Sequence, residues 1–365
     1  MNERYHEIHI QVRFKAMKYR VRENLIYGLL VALFLFCYTR PALSVILHPN
    51  GEPNLVTWTD RPDHNVVGRW GSNASCVAVS SNCVITICHS GGGIGTQVEL
   101  GGKTYTVAET WNYGTADLRV AKLYGANLTS FVGLYENTDE IGKEIVIGGY
   151  GDGRGAILKT SGITYGYEWD NSTNTTLRLS TNKVEDAEDN STAGSFTSDI
   201  IIGDFDGLNE GEATIYEGIP ADHDSGSGWF IKDGDTWKVA GLSRAVEVHF
   251  EQGHEGDPDY IIYDQFWFRN RDDPNVLDPD YFDAVRLSSY AVWILETIPE
   301  RLLGDLTGDD WVDFADFAVF AQYWQSTECE FPDWCAGADC EPDGDVDWAD
   351  LAALVDGWLC DWDCY

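Results

Sequence analysis

The chain has 365 residues and sets 24 Lys and Arg against 60 Asp and Glu, a formal charge of −36. So acidic a surface repels nucleic acid and anionic lipid, which excludes both as partners of the folded protein. A hydrophobic content of 44% and an aromatic content of 13% exclude disorder over most of the length, and the length itself predicts two domains.

The first element in chain order is a targeting segment. Arg13, Lys15, Lys18, Arg20 and Arg22 precede an apolar run from Leu25 to Tyr38, 14 residues long and short for a membrane span. Ala42-Leu43-Ser44 then places small residues at the −3 and −1 positions of a cleavage site before Val45. Residues 1–44 are therefore expected to be a signal peptide, with a retained N-terminal anchor as the alternative. Export to an extracellular or periplasmic, oxidising compartment suits the eight cysteines other than Cys37.

From Val45 to Arg244 the pattern is all-β. Short β-branched runs such as Cys76-Val77-Ala78-Val79, Thr104-Tyr105-Thr106-Val107 and Glu144-Ile145-Val146-Ile147 alternate with turns rich in Gly and Asn. Residues 168–195 and 247–280 read as long exposed excursions. Leu287, Tyr290, Ala291 and Ile294 then fall at helical spacing within 283–298, and Pro299 ends that helix. The remainder, from Leu302, has 17 acidic residues and no Lys or Arg. It holds a repeat at an offset of 34, in which Asp305 to Asp316 realigns with Asp339 to Asp350.

Three segments bear nucleophilic chemistry. Val84-Ile85-Thr86-Ile87-Cys88-His89 is a β-branched strand ending on histidine. Thr115-Ala116-Asp117-Leu118-Arg119 opens a strand with aspartate. Ala221-Asp222-His223-Asp224-Ser225-Gly226-Ser227-Gly228 presents a serine before an apolar strand. A serine hydroxyl needs a base to take its proton, an imidazole titrates near neutrality, and a carboxylate fixes the imidazole's tautomer. The order His, Asp, Ser and these flanks resemble a trypsin-like (chymotrypsin-fold) serine protease, as does the closing helix with Trp293 and Ile294. The resemblance implies two antiparallel β-barrels and a C-terminal helix over residues 45–301. It implies Ser225 as nucleophile, His89 as general acid and base and Asp117 as its orienter. The oxyanion donors would be the amides of Ser225 and His223, the substrate a protein or peptide, and no cofactor would enter catalysis.

The chain departs from that family where His223 replaces a usual Gly, Ser227 another Gly, and Gly228 a Pro. Ser243 matches the serine that supports the catalytic aspartate and starts the substrate-pairing strand. Ile219, six residues before Ser225, stands where trypsins have an acidic pocket floor, so cleavage after Lys or Arg is not expected. Asp224 matches the acid that pairs with a new N-terminal ammonium; here either Val45 or an internal cation such as Arg69 would serve. A Cys76–Cys88 disulfide and reduced buried thiols both remain open.

The C-terminal repeat resembles a dockerin type I pair over residues 304–365, an EF-hand-like loop and helix lacking the entering helix. Calcium wants six or more oxygens. The resemblance supplies them from Asp305, Thr307, Asp309, the Trp311 carbonyl and Asp316 in the first loop. In the second they come from Asp339, Glu341, Asp343, the Asp345 carbonyl and Asp350. Two Ca2+ ions and a cohesin-like or cell-surface partner are implied. Together these features describe a secreted serine endopeptidase tethered by a calcium-dependent module. A catalytically inactive homologue acting as a secreted binding module is one alternative, and a calcium-tethered carbohydrate-binding β-sandwich another.

Overall fold

The computed structural model describes residues 45–49, 53, 55–170, 176–208, 210–247, 249, 265–299, 303–309, 311–329, 334–341 and 343–358, all within one compact unit, Ala42–Tyr365. The signal-peptide reading of residues 1–44 lies outside the described residues. Among them, no helix is long and apolar enough to cross a membrane.

The first half contains β1 (Ile46–Leu47), β2 (Val67–Trp70), β3 (Ala74–Ala78), β4 (Cys83–Thr86), β5 (Gln97–Leu100), β6 (Lys103–Asn112) and β7 (Arg119–Leu123). Strands β2 to β7 form a closed six-stranded antiparallel barrel in the order β2-β3-β4-β7-β6-β5. The β-branched and small residues of β3, β4 and β7 are buried throughout, as suits strands covered on both faces.

The second half contains β8 (Gly133–Leu134), β9 (Glu144–Gly149), β10 (Gly153–Thr160), β11 (Ile163–Asp170), β12 (Arg178–Lys183), β13 (Asp186–Ala193), β14 (Phe196–Asp204), β15 (Gly218–Ile219), β16 (Gly228–Asp233), β17 (Thr236–Val246), β18 (Gln265–Trp267) and β19 (Tyr281–Arg286). Its main sheet runs β12-β9-β16-β17-β19-β14-β13, with β8 joined to β17. The hydrogen-bond ladder does not close, so the second of the two expected barrels is an open sheet among the described residues. Its outer strands β12 and β13 are nonetheless joined by only Val184 and Glu185. Lys183 pairs with Glu144 on one side and Asp186 with Ile202 on the other, so the sheet curls until the chain itself links its two edges. A further sheet, β10-β11-β18, lies outside this ladder.

Two expectations need correction. Much of the excursion expected at 168–195 is strand, and Arg178 to Asn182 are buried. The polar composition is compatible with burial because the side chains pair: the Asn182 amide donates to Glu217 Oε1 and to the Asp204 and Gly218 carbonyls. The C-terminal helix begins later than its periodicity suggests. Ala284 and Val285 are claimed by the ladder with β14 and β17, and the helix α1 spans Ala291–Thr297. The predicted face is buried as expected, at Leu287, Tyr290, Ala291 and Ile294.

The tail has its own apolar core around Leu306, Val312, Phe320, Val346 and Leu354, with helices α2 (Phe314–Tyr323) and α3 (Trp348–Asp356). Each helix starts on the same capping box, Asp313 with Asp316 and Asp347 with Asp350. A disulfide joins Cys329 to Cys335.

Candidate active site and cation loops

His89 follows the end of β4, Asp117 precedes β7 and Ser225 precedes β16, so three turns at strand ends converge. The hydroxyl of Ser225 donates to His89 Nε2 at 2.9 Å, and His89 Nδ1–H donates to Asp117 Oδ2 at 2.5 Å. Asp117 is 1% exposed. Its other oxygen, Oδ1, accepts the amides of Cys88 at 2.7 Å and His89 at 2.9 Å. The carboxylate therefore fixes both the ring of His89 and the backbone that bears it. All three residues singled out from sequence meet in this one line of hydrogen bonds.

Further supports were not singled out from the sequence. The Ser198 hydroxyl accepts the Asp117 amide at 3.0 Å. Arg119 is buried and donates to the Gly91 carbonyl at 2.7 Å and the Asn112 side chain at 2.9 Å, bracing the loop after His89. Its place at the start of β7, two residues beyond Asp117, was the available signal.

The turn holding Ser225 is fixed by buried Asp224. Oδ1 accepts the Gly151 amide at 2.6 Å; Oδ2 accepts the Ala221 amide at 2.9 Å and the Val45 amide at 3.3 Å. Burial pushes this carboxyl up to about 7, and those backbone donors draw it back. Of the two expected partners for Asp224, Val45 is at hand, whereas Arg69 lies against Glu99 and the Ser72 carbonyl. His223 adopts φ +69°, the left-handed conformation for which a glycine would be the usual choice. The Ser225 amide has no acceptor among the described residues. The His223 amide donates to Asp222 Oδ1 at 3.0 Å, so the two expected oxyanion donors are not equally open.

Ser243 lies in β17, and its hydroxyl takes the Trp229 indole N–H at 2.9 Å and shares a 2.6 Å hydrogen bond with Ser227. That hydroxyl is thus engaged away from the Asp117 carboxylate it was expected to support. Ser243 does line a cleft of about 160 Å³ beside Ser225, together with Trp169, Pro220, Ala221 and Val246. Ile219 does not line it: fully buried, it pairs with Ile46 in the core. Trp169 stands at the wall of this cleft instead, from the β10–β11 hairpin. Cys76 and Cys88 are buried thiols and not a disulfide. Burial raises both, that of Cys88 to about 11, and the Cys88 thiol donates to the Leu118 carbonyl at 3.3 Å.

In the first tail loop Asp305, Asp309 and Asp316 bring carboxylate oxygens within 4.8 Å of one another. Asp316 Oδ1 accepts the Leu306 and Thr307 amides, each at 2.8 Å, and Asp305 Oδ1 accepts the Gly308 amide at 2.7 Å. The Thr307 hydroxyl is buried with no hydrogen-bond partner among the described residues, an arrangement compatible with a ligand there. The second loop repeats the scheme. Asp350 accepts the Glu341 amide at 3.0 Å and the Asp347 amide at 2.8 Å, and Asp339 accepts the Gly344 amide at 2.9 Å. The converging carboxylates of the first loop fit a hard cation; the second loop shares its hydrogen-bond scheme, but its carboxylates do not form such a cluster among the described residues. The Trp311 amide donates to Asp309 Oδ1 and the Asp345 amide to Asp343 Oδ1, each at 3.1 Å.

No protein-family model matches the chain, and no curated protein matches it. Among solved structures it is similar to neuropsin, a serine protease expressed in the limbic system of mouse brain, at 17% identity and a TM-score of 0.39, covering 65% of this chain and 96% of that one.

Proposed function

We propose that the chain is a serine endopeptidase of chymotrypsin type, exported and tethered by a calcium-dependent dockerin-like module. The observation that supports catalysis is the unbroken line Asp117–His89–Ser225 at 2.5 and 2.9 Å. In this reading Ser225 Oγ attacks the scissile carbonyl while its proton passes to His89 Nε2. Asp117 stabilises the imidazolium, and the Ser225 amide donates to the oxygen that gains charge. The C–N bond breaks as His89 returns the proton to the leaving amine, leaving an acyl-enzyme that water hydrolyses by the reverse proton path. The small cleft, walled by Trp169, Pro220 and Ala221, favours a short side chain at the cleaved position.

In the tail, Asp305, Thr307, Asp309, Trp311 and Asp316, and Asp339, Glu341, Asp343, Asp345 and Asp350, would hold Ca2+. When bound, calcium would supply folding energy to a module whose own core is small. A cohesin-like or cell-surface partner and an extracellular or periplasmic location complete the proposal.

A fluorophosphonate probe tests it. Labelling of the folded, calcium-loaded chain that disappears in Ser225→Ala supports catalysis. Absence of labelling supports the second reading, a binding module that has lost activity, which the Asp222 carboxylate on the His223 amide favours.

A further inference from the structure

The turn that presents Ser225 meets a second group of side chains that the catalytic line does not use. His223 Nδ1 lies 3.5 Å from Asp152 Oδ1, and His223 Nε2 lies 4.0 Å from Asp222 Oδ2. One ligand atom from each residue falls within 4.8 Å of the other two. From this geometry we propose that Asp152, Asp222 and His223 form a binding site for a divalent transition-metal ion of the zinc class.

Several independent features point to a cation. Asp152 is 4% exposed, yet its carboxylate's one side-chain partner among the described residues is His223, at the outer limit of a hydrogen bond. A carboxylate so buried normally has firmer partners. Asp222, Asp170 and Asp224 add negative charge around it, against the single imidazole. The site is also held in place before any ion arrives. The Asp152 amide donates to the Asp222 carbonyl at 2.7 Å. The close approach of the two segments requires glycine at 151, because a Cβ there would come within 2.4 Å of the Asp224 carboxyl and 2.6 Å of the Asp222 carbonyl. Exposed Asp222 and partly exposed His223 leave the group open to solvent. One imidazole with two carboxylates suits zinc, cobalt or nickel, whereas calcium prefers oxygen alone. A bound ion would also neutralise the Asp222 carboxylate that now faces the His223 amide.

The test is calorimetric titration of the full, calcium-saturated chain with zinc, repeated with cobalt(II) while its visible absorption is followed. One equivalent should bind and give a cobalt band. Affinity should fall more than tenfold in Asp152→Asn and in His223→Gly. The first variant is isosteric and the second places glycine at a positive φ, and retention of the melting temperature checks that both fold. His249→Ala should bind as the parent does, since His249 belongs to a separate group with Glu247 and Asp280. The proposal is overturned by absence of zinc binding, by undiminished binding in Asp152→Asn and His223→Gly, or by loss confined to His249→Ala. Binding is read without substrate, so failure of this site and failure of the peptidase reading are separate results.

Discussion

The amide nitrogen of Val45 lies 3.3 Å from Oδ2 of Asp224, a residue 179 positions further along the chain. Ile46 and Leu47 continue from it as β1, paired with Ile219 and Gly218, so the segment is anchored by backbone bonds as well as by that contact. Cleavage before Val45 would turn the amide into an ammonium beside a buried carboxyl. A chain whose first residue is Val45 should label with fluorophosphonate on the order of 10² times faster than one that keeps Ser44, the scale expected when a buried charge gains its partner. Asp224→Asn should erase the difference. Equal labelling rates for the two chains would show that the ammonium has no part in ordering the turn.

The Asp222 carboxylate accepts the very amide that an oxyanion would need. Asp222→Ala should raise kcat/KM by about tenfold, less than the 10² to 10³ a complete oxyanion donor is worth, because the residue is exposed and partly screened. Steady-state kinetics on a peptide substrate measures this, and a fall in kcat/KM would count against the blocked-donor account.

Replacing Asp117 tests orientation. Asp117→Asn should lower kcat by about 10⁴ while leaving the fold intact, since the amide supports the wrong imidazole tautomer. Asp117→Ala should in addition destabilise the chain by about 2–6 kcal/mol, because the buried amides of Cys88 and His89 lose their acceptor at about 1–3 kcal/mol each. Denaturant titration of the two variants separates the effects.

Calcium removal should act on the tail alone. Each of Asp316 and Asp350 caps its helix and closes its loop. Asp316→Ala and Asp350→Ala should each remove one equivalent of calcium by titration calorimetry, and a chelator should lower the helical signal while Ser225 labelling persists.

Stability should fall as pH rises from 5 to 8 in calcium-free protein. Burial pushes Asp224 up to about 7, Glu217 to about 8, and Asp204 and Asp280 each to about 6. Carboxyls raised above their unfolded values hold protons in the folded state that the unfolded chain has lost. Their stabilisation is complete below the unfolded pKa and disappears as pH passes through the folded pKa. The self-repulsion of a −36 chain acts in the same direction. Thermal melts across that range check the sign, and a rising melting temperature would refute it.

The line Asp117–His89–Ser225 was legible in the sequence because each member sits at a strand end with its own flanking pattern, and the closing helix face and the repeated loops were legible from their spacing. What could not be read depends on pairing across the fold. The burial of β12 rests on Asn182 meeting Glu217, and the position of Ser198 behind Asp117 rests on the Thr197 amide reaching the Thr115 carbonyl. Ile219 shows the opposite error: its distance from Ser225 in sequence suggested a pocket, but its β-pairing with Ile46 places it in the core. His223 was readable as a departure, and only its φ and the Asp222 contact give that departure a physical meaning.

Ser75, in β3 of the closed barrel, donates its amide to the Ser225 carbonyl at 2.8 Å, accepts the Tyr150 amide on its hydroxyl at 3.0 Å, and accepts the Thr86 hydroxyl on its carbonyl at 2.7 Å. One residue of the first half thus grips the backbone of Ser225, which belongs to the second. Opening the seam between the two halves breaks the Ser75–Ser225 hydrogen bond, so the placement of the Ser225 hydroxyl reports on the integrity of both halves at once.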